Sequence, residues 1–434
     1  MSGINKTMRG DNFTYKIIKV IFFRVLGVCL LFGLTLFLTN NYEAKIVGKY
    51  DFVRSFILVI GSLCLLGTDH SILYFSGKLK SKGKLTEIKN IYFRMMKIIL
   101  ITSIIVAIVI IVAKQLIITF FEDQSTYVLI LSGVCVLFFY CLTILNTEFF
   151  RALDLIIVSE IFRNVIKYVP FFLSAIILFL INKEEYLITF FLLSFVLVGF
   201  ISTILSFLKI KELEDISNYK KEINVFTKEI FLASYPMAIS SMGFFLLLSI
   251  DIIFLKKYRS DEIVAYYSVA VKFVLILSMI INTVNINISS KIAELFKSKR
   301  FLELENLLKK SSRLIFFLSL PLILMIVFFS EDILFLFGNN YKSSNRALLI
   351  MVVSQGICTL FGSVNVYLNM TGKQKYFQNI LICSVVINFI LNRILIPVYG
   401  MEGAAIAFSC SLFFWNILAT IVVYKKDSLK VFIR

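Results

Sequence analysis

At 434 residues, with 59% hydrophobic side chains, 17% charged ones and a mean hydropathy of +0.90, the chain lies far outside the composition of a soluble domain. A formal charge of +18 would suit a nucleic-acid partner on a soluble protein, but here Lys and Arg gather in alternate loops between apolar runs, as membrane topology alone dictates, so no nucleic acid is expected. The seven cysteines fall inside or at the ends of apolar runs, with no CxxC or Cys/His cluster, which argues against a disulfide framework and against a metal centre.

Apolar runs near the roughly 20 residues that cross a bilayer recur along the whole sequence, and twelve are read. The first six are Ile17 to Thr39, Phe52 to Ser76, Met95 to Phe121, Tyr127 to Thr147, Ile161 to Ile181 and Tyr186 to Leu208. The second six are Ile230 to Leu255, Ile263 to Ile288, Leu314 to Phe337, Ala347 to Met370, Phe377 to Ile396 and Gly403 to Val423. The first run follows Lys6, Arg9 and Lys16 without a small-x-small cleavage signal, so it is taken as a retained span. Residues 1–208 form a first lobe, 209–229 a charged cytoplasmic linker, and 230–434 a second lobe.

Of the 45 basic residues, 31 fall on the side that holds both termini, nine on the other, and five inside runs: Lys19, Arg24, Lys114, Lys272 and Arg393. The positive-inside rule therefore places both termini in the cytoplasm. The basic stretch after the eighth span contains Phe296 to Leu308, which reads as an amphipathic helix on the lipid surface. A repeat accompanies this layout. At an offset of 217 residues, Lys80, Ser81, Lys82 and Leu85 coincide with Lys297, Ser298, Lys299 and Leu302; Ile46, Val47, Tyr50, Phe56 and Leu58 coincide with Ile263, Val264, Tyr267, Phe273 and Leu275. Two six-span halves so related are parallel repeats about an axis along the membrane normal.

Lys272 stands roughly 15 Å along its run at about 1.5 Å per residue. An ammonium at that depth costs about 2.5 to 3.5 kcal/mol on insertion scales and needs a protein or aqueous partner. Ser268, Lys272, Met279 and Thr283 share one helical face, which is read as lining a wet cavity, with a structural ion pair as the alternative. Arg24 is the second cavity cation, with Thr35 on its face, or else it snorkels to the interface with Lys19. Lys114 and Arg393 are read as snorkelling. Asp69 and His70 either relay a proton or serve structure. Asp251 either binds a coupling cation or pairs with Lys256, and the pairing is expected. Amides recur at helical spacing, Asn365 with Asn369, and Ser384 with Asn388 and Asn392; such rows bond sugar hydroxyls or hold helices together.

The stretch Asn392 to Phe408, NRILIPVYGMEGAAIAF, resembles the polysaccharide flippase branch of the MOP (multidrug/oligosaccharidyl-lipid/polysaccharide) exporter superfamily. Ser234-Tyr235-Pro236, Tyr267-Ser268-Val269-Ala270, Leu320-Pro321-Leu322, Phe335-Leu336-Phe337-Gly338 and Gly48-Lys49-Tyr50 are similar as well, so the likeness covers nearly the whole chain. It departs at Ile252, where many relatives are basic, and at Arg393, where an aliphatic residue is commoner. The resemblance implies an all-α integral membrane fold of about twelve helices in two six-helix lobes, a V-shaped central cavity and alternating access. It also implies a substrate, a polyprenyl-pyrophosphate-linked oligosaccharide carried from the cytoplasmic to the outer leaflet of the inner (cytoplasmic) membrane. Membrane lipids and other polysaccharide-assembly membrane proteins are the expected partners. No cofactor is expected beyond a coupling ion, sodium or a proton.

For a pyrophosphate headgroup crossing a low-dielectric slab, Lys272 and Arg24 are the expected cations, with Ser268, Thr283, Asn365 and Asn388 as polar lining and Asp69, His70 and Asp251 as ion-coupling residues. On this reading Lys272→Ala abolishes surface polysaccharide and leaves the protein folded. No enzymatic role is expected. The alternatives are a drug or cation antiporter of the same superfamily, which would use buried acids, and a membrane-embedded glycosyltransferase or polymerase, which would need acid/base groups on a large aqueous loop. No Gly-rich nucleotide motif follows a strand, which argues against direct ATP drive.

Overall fold

The computed structural model describes residues 4–80, 85–215, 227–429 and 431. Much of the linker expected at 209–229, and Ser81 and Lys82 of the repeat, lie outside the described residues. Within them the secondary structure is helical throughout, as a backbone in hydrocarbon requires, because each amide must find its partner inside its own segment.

Nine helices are long and apolar enough to span a bilayer among the described residues. Two further pairs, Ala44–Leu65 with Thr68–Lys80 and Gln124–Cys135 with Leu137–Ala152, pass the same test when each is read as one bent span, with bends of 41° and 43°. The longest helix, Gln374–Asp427, has 54 residues, far more than the roughly 20 one crossing needs, and it is broken at Gly400 (φ 57°, ψ −127°). Only glycine adopts that backbone without strain. Eight single helices, the two halves of this ninth and the two bent pairs make twelve spans, each overlapping one apolar run of the sequence.

The chain groups into two compact units. One comprises residues 1–42 and 60–238, the other 43–59 and 239–434. Residues 43–59 were expected with the first lobe; they pack with the second unit instead. Gly48 shows why a close fit is possible there, since a Cβ on it would stand 1.8 Å from the carbonyl oxygen of Asp261.

The first unit is cored by aromatic side chains and by one amide hub. Tyr92 stacks on Phe149 at 4.6 Å between centroids and donates its hydroxyl to Asn146 (2.7 Å), whose amide donates in turn to Ser202 and Thr203 at 2.9 Å each. In the second unit Phe244, Phe377 and Trp415 pack against one another at about 6 Å between centroids, with Trp415 edge-on to both phenyl rings.

One local expectation fails. Phe296 to Leu308 is not a separate surface helix: Asp261–Lys297 ends there, Lys299 turns left-handed (φ 58°), and Phe301–Phe328 starts a new helix. The chain thus turns at Ser298-Lys299-Arg300, and the basic residues divide between two helix ends.

Candidate functional site

The second unit brings three helices together around Asp251. Thr227–Tyr258 carries Asp251 near its end, Asp261–Lys297 carries Tyr267 two turns in, and Gln374–Asp427 carries Asn388 and Asn392 one turn apart on one face. Asp251 is 1% exposed. Its Oδ1 accepts from Asn392 Nδ2 at 2.6 Å and Asn388 Nδ2 at 3.3 Å, and its Oδ2 accepts from the Tyr267 hydroxyl at 2.9 Å. Asn392 Nδ2 also donates to Asn388 Oδ1 at 3.0 Å, which ties the amides into one network. Asn392 Oδ1 is buried and has no hydrogen-bond partner among the described residues.

Each of these three partners of Asp251 is neutral. A buried ionised carboxylate is tolerated when a cation or a proton compensates it, and hydrogen bonds alone offset only part of the desolvation. The two amides and the phenol turn their N–H and O–H groups toward the carboxylate, and of the amide oxygens only Asn392 Oδ1 is left over. The expected pairing with Lys256 is not formed. Five residues along a helix turn Lys256 about 140° away from Asp251, and its amine meets Asp261 Oδ1 at 2.5 Å. Asp251 and Asn388 were both picked out from sequence; Tyr267 and Asn392 were noted only as motif and helix-row members.

Lys272 lies one turn beyond Tyr267. It is 2% exposed, and its Nζ stands 3.0 Å from Asp51 Oδ1 and 3.1 Å from Oδ2. Arg54 approaches the same carboxylate at 3.8 Å, so Asp51 serves two cations. This corrects the reading of Lys272 as a lone cation on a wet wall: in the second unit it is sealed against an acid, the pairing alternative. Asp51 was missed. Its only signal was an acid set immediately before the apolar run at Phe52, beside the Gly48-Lys49-Tyr50 motif.

The rest of that face divides. Ser268 is buried, with its hydroxyl lacking a partner among the described residues, and Thr283, half-buried, donates to its own Met279 carbonyl at 2.7 Å. Asn365 accepts from Asn285 at 3.4 Å and from its own Val366 amide at 2.8 Å, and Ser384 donates to the Ser411 carbonyl, which is the helix-holding use of such groups.

In the first unit Arg24 does not snorkel. Its guanidinium grips Glu160 through Nε (3.2 Å) and Nη2 (3.1 Å), and Asn164 adds a hydrogen bond to the same carboxylate at 2.9 Å. This fork is the geometry arginine forms with a carboxylate. The Glu160 side chain is 1% exposed and that of Arg24 19%. Asp69 opens Thr68–Lys80 as an acid in the first turn, favourable against the helix dipole, with His70 Nε2 3.5 Å from its Oδ2 and half exposed.

Comparison with known proteins places this architecture. Among solved structures, the chain is similar to the MATE multidrug transporter DinF-BH (TM-score 0.69, 13% identity, covering 95% of this chain and 94% of that one). It is similar also to the lipid II flippase MurJ in an inward closed conformation (0.67, 16%, 94% and 86%) and to the Vibrio cholerae MATE transporter VcmN (0.67, 13%, 96% and 98%). A curated relative, the capsular polysaccharide biosynthesis protein CapF of Staphylococcus aureus, is 25% identical over 203 residues, 45% of this chain and about half the length of that protein. Residues 236–394 match the MatE family. The fold is that of the MOP superfamily transporters, a multi-pass all-helical membrane protein. Residues 10–288 match the family described as Polysaccharide biosynthesis protein, and the chain belongs to that family.

Proposed function

We propose that this protein carries polyprenyl-pyrophosphate-linked oligosaccharide repeat units from the cytoplasmic to the outer leaflet of the cytoplasmic membrane by alternating access, with both termini in the cytoplasm. The observation that carries the reading is membership of the polysaccharide biosynthesis family across residues 10–288 on a transporter fold. A lipid-linked precursor is the substrate such a transporter would supply to polymer assembly, whose other membrane enzymes are the natural partners. The Arg24 guanidinium, partly exposed beside Glu160, is the cation assigned to the pyrophosphate, whereas Lys272 holds structure.

Asp251 supplies coupling on this reading. A sodium ion or proton entering the Tyr267, Asn388 and Asn392 network would neutralise the carboxylate and shift the balance between conformations by its differential affinity for them. The test is depletion of the protein in its host, followed by leaflet-specific labelling of lipid-linked glycan. Accumulation on the cytoplasmic leaflet supports the proposal; normal export defeats it. A second reading, a drug or cation antiporter, has one observation in its favour, the buried acid of Asp251 within the MatE-matching region. Efflux of cationic dyes with normal glycan export would select it.

A further inference from the structure

The first unit contains a second constellation, away from Arg24 and Glu160. A cavity of about 190 Å³ opens between Leu137–Ala152, the segment after Ile156–Ile161, and Leu187–Asp215. Its apolar lining is aromatic, from Tyr140, Phe162 and Phe195, with the Tyr140 and Phe195 rings edge to face at 5.1 Å. Its polar lining includes Glu148, Arg163 and Lys167.

The local backbone is built for this. Residues 162–166 form a π-helix, a widened turn that natural proteins keep mostly at functional positions because it costs regular hydrogen bonding. It aims Phe162 and Arg163 from successive positions, and Lys167 follows directly. Arg163 binds Glu148 Oε1. Glu148 is 8% exposed, yet its Oε2 has no hydrogen-bond partner among the described residues; Arg151 approaches it only to 4.0 Å. A buried carboxylate oxygen left over in this way costs free energy unless a donor arrives.

We propose that this cavity is a subsite for one sugar ring of the transported glycan, an inference that rests on the flippase reading. A pyranose offers what the site lacks and fits what it holds: hydroxyl donors for Glu148 Oε2, hydroxyl acceptors for Arg163 and Lys167, and C–H faces for the aromatic walls. The volume suits a single ring. A phosphate is disfavoured here, since its ionised oxygens only accept hydrogen bonds and would leave Glu148 Oε2 without a donor.

The test measures binding of two probes to the purified full-length protein in nanodiscs: polyprenyl pyrophosphate carrying one N-acetylhexosamine, and the same lipid without sugar. Wild type is expected to bind the glycosylated lipid at least tenfold more tightly. Glu148→Gln is expected to remove that preference while leaving affinity for the bare lipid unchanged. Thr143→Val, a gentler change on the same wall, is expected to reduce the preference several-fold. Equal loss for both probes, or an intact preference in both variants, overturns the subsite and leaves transport standing. If wild type binds neither lipid, the flippase reading falls and this inference with it.

Discussion

The sharpest consequence of the structure concerns Asp51. Removing it as Asp51→Ala strands the Lys272 ammonium, 2% exposed, with Arg54 close by and no carboxylate between the two cations. Breaking a buried ion pair from one side costs about 3 to 5 kcal/mol, because the remaining charge is left desolvated and uncompensated. The reverse change, Lys272→Ala, is milder, since Asp51 keeps Arg54 at 3.8 Å. Replacing both residues, as Asp51→Leu with Lys272→Met, removes both desolvation penalties and is expected to return most of the loss. For a cooperative unit of this size, the single change at Asp51 corresponds to a fall of roughly 10 °C in melting temperature. The assay is thermal unfolding in detergent followed with a thiol-reactive fluorophore, which reports the buried Cys64, Cys141 and Cys358 as they become accessible. Two results would refute the reasoning: Lys272→Ala more damaging than Asp51→Ala, or a double variant whose loss is the sum of the singles. The sequence-based expectation that Lys272→Ala stays folded and merely stops export changes accordingly: its export defect should track its lowered stability.

Asp251→Asn should melt at or above the wild-type temperature, because a neutral amide replaces a buried acid, yet lose ion-coupled glycan export; proteoliposome flipping with and without a sodium or proton gradient distinguishes this, and unchanged gradient dependence defeats the coupling role. Tyr267→Phe removes one of the three groups that donate to Asp251 and should cost about 1 to 2 kcal/mol of stability, read as a lower melting temperature in the same thermal assay. Gly48→Val should fail to fold stably, as its side chain would enter the Asp261 backbone, and low recovery in size-exclusion chromatography is the readout. Gly400→Ala should cost about 1 to 3 kcal/mol for a positive φ without collision, giving a folded protein with a lower melting temperature in the same thermal assay.

The apolar runs were legible because transfer into a membrane is a sum over neighbouring residues, so a run of about 20 declares itself wherever it stands. This is why the twelve runs correspond to the twelve helical crossings, even where Gly67 and Gly400 bend or break the helix. The family pattern at Asn392 to Phe408 was legible for a related reason: the Pro397 and Gly400 turn and the small residues after it are a local requirement of two helices that fold back closely on each other, a Cβ on Gly403 standing 2.4 Å from the Leu395 carbonyl oxygen. The amide row at Asn388 and Asn392 could be seen as a row, but its object could not.

What only the tertiary structure decided is which charges meet. Lys272 finds Asp51 across 221 positions, Arg24 finds Glu160 across 136, and Asp251 finds Asn392 across 141. Sequence proximity favoured Lys256 for Asp251, and helix rotation sent that lysine to Asp261. The short segment 43–59 likewise left its expected lobe because its packing partner, not its position in the chain, fixes where it lies. Burial of an apolar run depends on composition, which is additive and local. Compensation of a buried charge depends on geometry between distant helices, to within a few tenths of an ångström, and that information exists only once the helices have packed.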